Sequence, residues 1–275
     1  MKSEIREGNY TVSAAESIIR DSFDPRAYEL GTGNEIGVLL IHGFTASATE
    51  TRPLADYIVQ RHPDWRCRGI LLPGHGQTPE ALETTSANDW LSAAEASYVD
   101  LARTCRRVFL IGVSMGGVLS CHVRFKHAAD SKICGLVLMA PAFGLGSIQL
   151  AGVRLVKPFL RFVSKGLATA NYFVDKRLFS YTVVPLRRVK DVAQLGRTAS
   201  RRLTELKNIP VLMFAGGRER TVSLAAIREA ARRNPWIRFQ ELPASAHILT
   251  VEPDHQQLFG RTLAFMEEIY ARGGR

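Results

Sequence analysis

LIGVSMGGVLS, residues 110–120, runs an apolar strand pattern straight into a serine set among small residues, and then into a helical pattern. Gly112 and Gly116 flank that serine, and residues without a Cβ let two stretches of backbone approach closely. Ser114 can then be held on a tight, strained turn with its hydroxyl presented at a helix N-terminus, where the local field favours a negative oxygen. In an open α/β sheet, ligands bind at the carboxyl ends of the strands, and this turn lies at such an end. G-x-S-x-G between a strand and a helix is the nucleophile-elbow pattern, and its competitor is a glycine-rich helix start with a capping serine.

Working outward, short β-rich apolar runs recur at 36–41, 67–72, 108–111, 133–139, 211–215 and 237–242. Helical patterns lie between them at 52–61, 88–104, 116–127, 223–233 and 254–271, with Asn88 or Asp89 as the expected cap of the second. Apolar strands alternating with helices predict an α/β fold, a mostly parallel sheet flanked by helices on both faces.

The alternation breaks once, between 139 and 211, over a length too great for a simple crossover. Residues 143–206 carry twelve Lys/Arg against three acids, nearly all of the chain's net charge of +10. They are therefore expected to form a helical cap inserted between core segments 36–142 and 207–275, with 1–35 as a separate N-terminal segment. Within the cap, Arg154, Lys157, Arg161 and Lys165 recur at helical spacing among apolar residues, although Pro158 would kink a long helix. Such a face either covers an apolar pocket with its charges in water, the reading preferred here, or makes peripheral membrane contact. No nucleic-acid reader motif accompanies the charge.

Cys67, Cys105, Cys121 and Cys134 show neither a CxxC pair nor zinc-ligand spacing, which predicts reduced thiols and no metal. The charge-mixed N-terminus lacks a signal-peptide apolar region, so a cytoplasmic location is expected. The uncharged run 133–153 contains Pro141 and four glycines, and reads as a buried strand with a loop rather than a membrane span.

A serine hydroxyl needs a base to take its proton. Seven histidines are available. His42 and His75 sit in glycine turns, His62 ends a helix, and His122 and His127 belong to the helix after the elbow. His247 follows the last strand, where the chain order Ser, acid, His puts the base. His255 opens the final helix and is the weaker candidate. Glu219 is the only carboxylate between the strand at 211–215 and the next helix, and would orient the imidazole. Arg218 and Arg220 beside it suggest a surface ion pair instead, which would leave Glu252 or Asp254 as substitutes. The strand end at His42-Gly43-Phe44 offers the Phe44 N–H to pair with that of Met115 as an oxyanion hole, against the reading of an ordinary turn.

The stretches GVLLIHGFTAS, LLPGHGQTPEAL, TTSANDWLSAAEASY, VFLIGVSMGG, GLVLMAPA, AGGRERTV and ASAHILTVEPD, taken in order, resemble the α/β-hydrolase superfamily and its carboxylesterase and monoacylglycerol-lipase-like branch. The resemblance covers most of the chain from Ile36 onward and implies the α/β-hydrolase fold. By motif it implies Ser114 as nucleophile, His247 as base, Glu219 at the acid position, and Phe44 and Met115 as oxyanion donors. A glutamate stands where this branch usually carries aspartate.

The expected chemistry is hydrolysis of carboxylic esters with short or medium acyl chains, monoacylglycerols among them, through an acyl-enzyme and without a cofactor. Phe44, Phe143 and Phe159 are candidates to line the acyl pocket. A thioesterase or carbon–carbon bond hydrolase on the same scaffold, or a non-catalytic binding protein that kept the fold, are the alternatives.

Overall fold

A computed structural model of the chain describes residues 24–146 and 161–272, together with the short strands β1 (Arg6–Glu7) and β2 (Tyr10–Thr11), which pair with each other. The apolar runs become β4 (Ile36–Ile41), β5 (Arg66–Ile70), β6 (Arg107–Val113), β7 (Ile133–Met139), β10 (Val211–Gly216) and β11 (Arg238–Leu242). All six are parallel, in the spatial order β11-β10-β7-β6-β4-β5. A further strand, β3 (Tyr28–Leu30), pairs antiparallel with β5 at the sheet edge. It lies within 1–35, and its three residues are too few to show a period in the sequence.

Why the strands read as continuous apolar runs is visible in the packing. Leu39, Ile41, Leu110, Leu136, Leu138 and Met213 face one buried cluster, while Val38, Leu40, Ile111, Val137, Met139 and Phe214 face another. Alternate residues of one strand thus enter two cores, so both sets must be apolar. Helices α1 (Arg52–Arg61) and α8 (His255–Arg272) cover one face through Leu54, Ile58, Leu258 and Leu263. The other is covered by α3 (Ala87–Thr104), α4 (Met115–Lys126) and α7 (Leu224–Arg233), with Trp90, Leu101, Val118 and Ile227 inward; α2 (Pro79–Thr84) precedes α3.

The α3 cap is corrected to an earlier residue. Ser86, not Asn88 or Asp89, is the capping residue: its hydroxyl accepts from the Asp89 N–H, and Asp89 in return accepts from the Ser86 N–H at 2.8 Å. This capping box satisfies two orphan donors at once.

Between β7 and β10 the described residues form β8 (Phe162–Ser164) paired with β9 (Val183–Pro185), and helices α5 (Leu167–Asp175) and α6 (Leu186–Arg201). The expected basic helix is corrected at its end: 162–164 are extended, Arg161 pairs with Glu83, and Lys165 turns inward. Arg154, Lys157 and Phe159 lie outside the described residues. The segment docks through α6, which buries Val192, Leu195 and Ala199. At Gly196 a Cβ would stand 1.8 Å from the Ala142 carbonyl, so only glycine permits that approach.

Among the described residues no helix is long and apolar enough to cross a membrane, and Cys67, Cys105, Cys121 and Cys134 are free thiols.

Candidate active site

Ser114 joins β6 to α4 with φ 53° and ψ −112°, a region that L-residues seldom occupy. Its neighbours explain how the turn is held. A Cβ on Gly112 would lie 2.1 Å from the Gly116 carbonyl carbon, and one on Gly116 would lie 2.0 Å from the Ile41 oxygen. The turn is pinned further by the Ser114 N–H, which donates to Met139 O at 2.8 Å, and by the Ala142 N–H, which donates to Ser114 O at 3.2 Å. Ser114 is therefore fixed by strands on both sides of β6. Met115 opens α4, and its N–H is one of the first four that no carbonyl within the helix accepts.

His247 and Glu219 come from two loops that bind each other through backbone. Arg218 N–H donates to Ser245 O at 2.9 Å and Gly217 N–H to Leu242 O at 2.7 Å; a Cβ on Gly216 would strike Ala246 O at 1.9 Å. The result is a 2.6 Å bond from His247 Nδ1–H to Glu219 Oε2. The other oxygen, Oε1, accepts the N–H groups of Thr221 at 2.6 Å and Val222 at 3.2 Å. Burial would push the Glu219 carboxyl up, but the adjoining imidazolium, its hydrogen bond and the two amides outweigh this and hold it low. Burial likewise opposes charge on His247, yet the Glu219 carboxylate raises it, with Glu50 adding to the effect.

The substitutes for Glu219 are engaged elsewhere. Asp254 accepts from Ala244 N–H and Ser245 Oγ, both at 2.9 Å, and braces the histidine loop. Glu252 accepts from the Tyr172 hydroxyl at 2.7 Å. His255 hydrogen-bonds the Glu252 carbonyl at the start of α8.

The turn after β4 supplies the remaining wall. His42 is buried and neutral: Nδ1–H donates to Gly43 O at 2.8 Å, Nε2 accepts Leu72 N–H at 3.1 Å, and burial pulls its pKa down to about 4. Gly43 stands against the nucleophile turn, since a Cβ there would be 3.3 Å from Ser114 Cβ and 3.2 Å from Glu50 Oε2. The N–H of Phe44 has no acceptor among the described residues. Its ring meets Trp90 edge-on at 5.8 Å and His75 at 6.3 Å, and joins the apolar cluster that contains Phe143.

Two groups beside this site were not among the site residues the sequence reading expected. Glu50 is 4% exposed and accepts the Gly43 N–H at 2.6 Å. Lys165 donates to Thr45 Oγ1 at 2.6 Å and Ser180 Oγ at 2.9 Å. For Glu50 the signal was a lone acid in the hydroxyl-rich turn HGFTASATE; Lys165, 120 residues away from Thr45, gave none. No cluster of His, Cys, Asp or Glu among the described residues is arranged to hold a metal ion.

A model of the alpha/beta hydrolase family matches residues 38–259, most of the chain. The chain belongs to the alpha/beta hydrolase family. This hydrolase-family chain is 27% identical over 239 residues to a thermostable monoacylglycerol lipase of Bacillus sp. (strain H-257), over 84% of its own length and 90% of that protein's. Against a carboxylesterase of Bacillus subtilis (strain 168) it is 34% identical over 89 residues, 32% of this chain and 35% of the other. Its fold overlays a structure described for the metagenome-derived lipolytic enzymes LipS and LipT with a TM-score of 0.75 at 23% identity, covering 89% of this chain and 98% of that one. A monoacylglycerol lipase of Paleococcus ferrophilus overlays with a TM-score of 0.70 at 15% identity, covering 88% and 98%.

Proposed function

We propose that the protein is a serine hydrolase that cleaves carboxylic esters, with monoacylglycerols or similar monoesters of short or medium acyl chain as substrates. The observation that carries this reading is the strained Ser114 at the head of α4 in a fold where His247 and Glu219 form a 2.6 Å pair. The lipase and esterase relatives support the substrate class.

In the first half-reaction His247 Nε2 takes the proton of Ser114 as Oγ attacks the ester carbonyl carbon. The carbonyl oxygen becomes an oxyanion held by the N–H groups of Phe44 and Met115, and Glu219 stabilises the imidazolium. The intermediate collapses, the C–O bond to the alcohol breaks, and the alcohol oxygen takes the proton from His247. Water, deprotonated by the same imidazole, then attacks the acyl-enzyme, releasing the carboxylic acid and restoring Ser114. Segment 143–206 serves as the cap over the acyl side, with Phe44 and Phe143 on its apolar wall and Phe159, outside the described residues, as its expected third member.

A fluorophosphonate probe should label wild-type protein at Ser114 and leave Ser114→Ala unlabelled, and that variant should lose at least about 10⁴-fold in kcat on p-nitrophenyl esters. Absence of labelling at Ser114 in folded wild-type protein would end the reading. Matched oxygen and sulfur esters across a series of acyl lengths then decide the substrate; a strong preference for sulfur esters would make the protein a thioesterase.

A further inference from the structure

Glu50 and Lys165 are opposite charges carried inward from segments far apart in sequence, and the mechanism above uses neither. Both bear on the turn Gly43-Phe44-Thr45. On one side, Glu50 Oε2 accepts the Gly43 N–H. On the other, Lys165 donates to Thr45 Oγ1, whose own hydroxyl proton goes to Phe44 O at 2.6 Å. Thr45 is itself strained at φ 66°. Its carbonyl accepts from Ser180 Oγ at 3.0 Å and Tyr181 N–H at 2.9 Å, both from the same segment as Lys165. The Phe44 amide therefore lies between two tethered points.

Lys165 is tied in turn. Its N–H donates to Thr182 O at 2.7 Å, and its ammonium sits 4.9 Å from the centre of the Phe173 ring. A half-buried lysine turned onto buried hydroxyls, rather than into nearby water, gives up hydration and needs compensation. Thr45 and Ser180 supply that compensation as hydrogen-bond acceptors, and Glu50, on the far side of the same turn, adds a favourable field.

We propose that Lys165 is a positioning residue for the oxyanion turn, tethering Thr45 from the segment between β7 and β10 while Glu50 tethers Gly43 from the other side. The proposal rests on the ester-hydrolase reading of Ser114 and His247. Burial pulls the Lys165 ammonium down to about 7, with Glu50 opposing, and pushes the Glu50 carboxyl up, with the Gly43 amide, His247 and Lys165 opposing. The two act on His247 with opposite sign: Glu50 favours the imidazolium and Lys165 disfavours it. The other titratable groups facing this cluster are Glu219, bonded to His247, Tyr172, bonded to Glu252, and the neutral His75, which also feels Lys165.

The test compares wild type, Lys165→Met, Lys165→Arg and Glu50→Gln on a short p-nitrophenyl ester across pH, with fluorophosphonate labelling of Ser114 alongside. Lys165→Met should lower kcat roughly 10- to 100-fold while KM changes less than about threefold, because the turn loses its anchor but the acyl site does not. Lys165→Arg should recover most of that loss. The acidic limb of kcat/KM should move up by roughly half a pH unit or more in Lys165→Met, and down by a similar amount in Glu50→Gln.

Limbs that stay put or move in the same direction, or a Lys165→Met effect confined to KM, would overturn the proposal while labelled Ser114 keeps the hydrolase reading intact. Loss of labelling in wild type would instead remove the reading beneath it. If Lys165→Met fails to fold by circular dichroism, Lys165→Gln and Glu50→Gln carry the same comparison of limbs.

Discussion

The chemistry proposed for Ser114, His247 and Glu219 depends on position, since each side chain is ordinary in isolation. The serine depends on backbone strain at φ 53°, and the imidazole on a carboxylate that is itself held by two amides. The sign of the resulting pH dependence follows directly. In the proposed mechanism His247 works as a base only when neutral, and its pKa lies above the ordinary histidine value because Glu219 favours the charged form. Activity should therefore fall as pH drops through a value above the usual histidine range. In Glu219→Gln the charge is gone, so the acidic limb of kcat/KM should shift to lower pH while kcat falls on the order of 10³- to 10⁴-fold. A pH–rate profile with an unshifted limb and full activity would reject Glu219 as the orienting acid.

At the scale of elements, the same glycine-rich turn both ends β6 and starts α4, and its tolerance for substitution is set by what a Cβ would touch. Gly116→Ala places a methyl against the Ile41 and His42 carbonyls at the end of β4, which are backbone atoms and cannot rotate away. Urea denaturation should show a loss of about 3 kcal/mol or more, accompanied by loss of activity, because the displaced strand end leads directly to Gly43 and Phe44. Ser86→Ala is the contrasting case. It removes one side of the α3 capping box on an exposed end, so about 1 kcal/mol should be lost with the rate on esters unchanged.

For the molecule as a whole, a doubly covered parallel sheet brings the turns after β4, β6, β10 and β11 to the carboxyl ends of the strands, and the segment between β7 and β10 binds to that edge. Tyr181 ties the segment to the turn at 73–77, its hydroxyl donating to Gly74 O at 2.7 Å and accepting from Gln77 N–H at 2.8 Å. The covering is also read out by the thiols. Burial pushes the thiols of Cys67, Cys121 and Cys134 up to about 12, so they carry almost no thiolate near neutrality. A thiol-disulfide reagent should leave these three unmodified in native protein and react with all four cysteines after denaturation; rapid native labelling at Cys121 would contradict the packing of α4.

The alternation of apolar runs with amphipathic helices determined the parallel sheet, and the spacing of Gly112, Ser114 and Gly116 determined the elbow, because strand burial and close backbone approach leave local marks. The place of His247 in the loop after the last strand was legible as well. Glu219 was preferred from its turn after the strand at 211–215, although Glu252 and Asp254 lie far closer to His247 in sequence; what the sequence did not hold is the docking of the 216–219 turn against Ser245 and Ala246, which carries a carboxylate 28 residues away to Nδ1. The inward turn of Lys165 toward Thr45 was likewise a tertiary decision: the side chain's partners lie 120 and 15 residues away, and a pattern of local spacing holds no record of which distant hydroxyls will meet an ammonium.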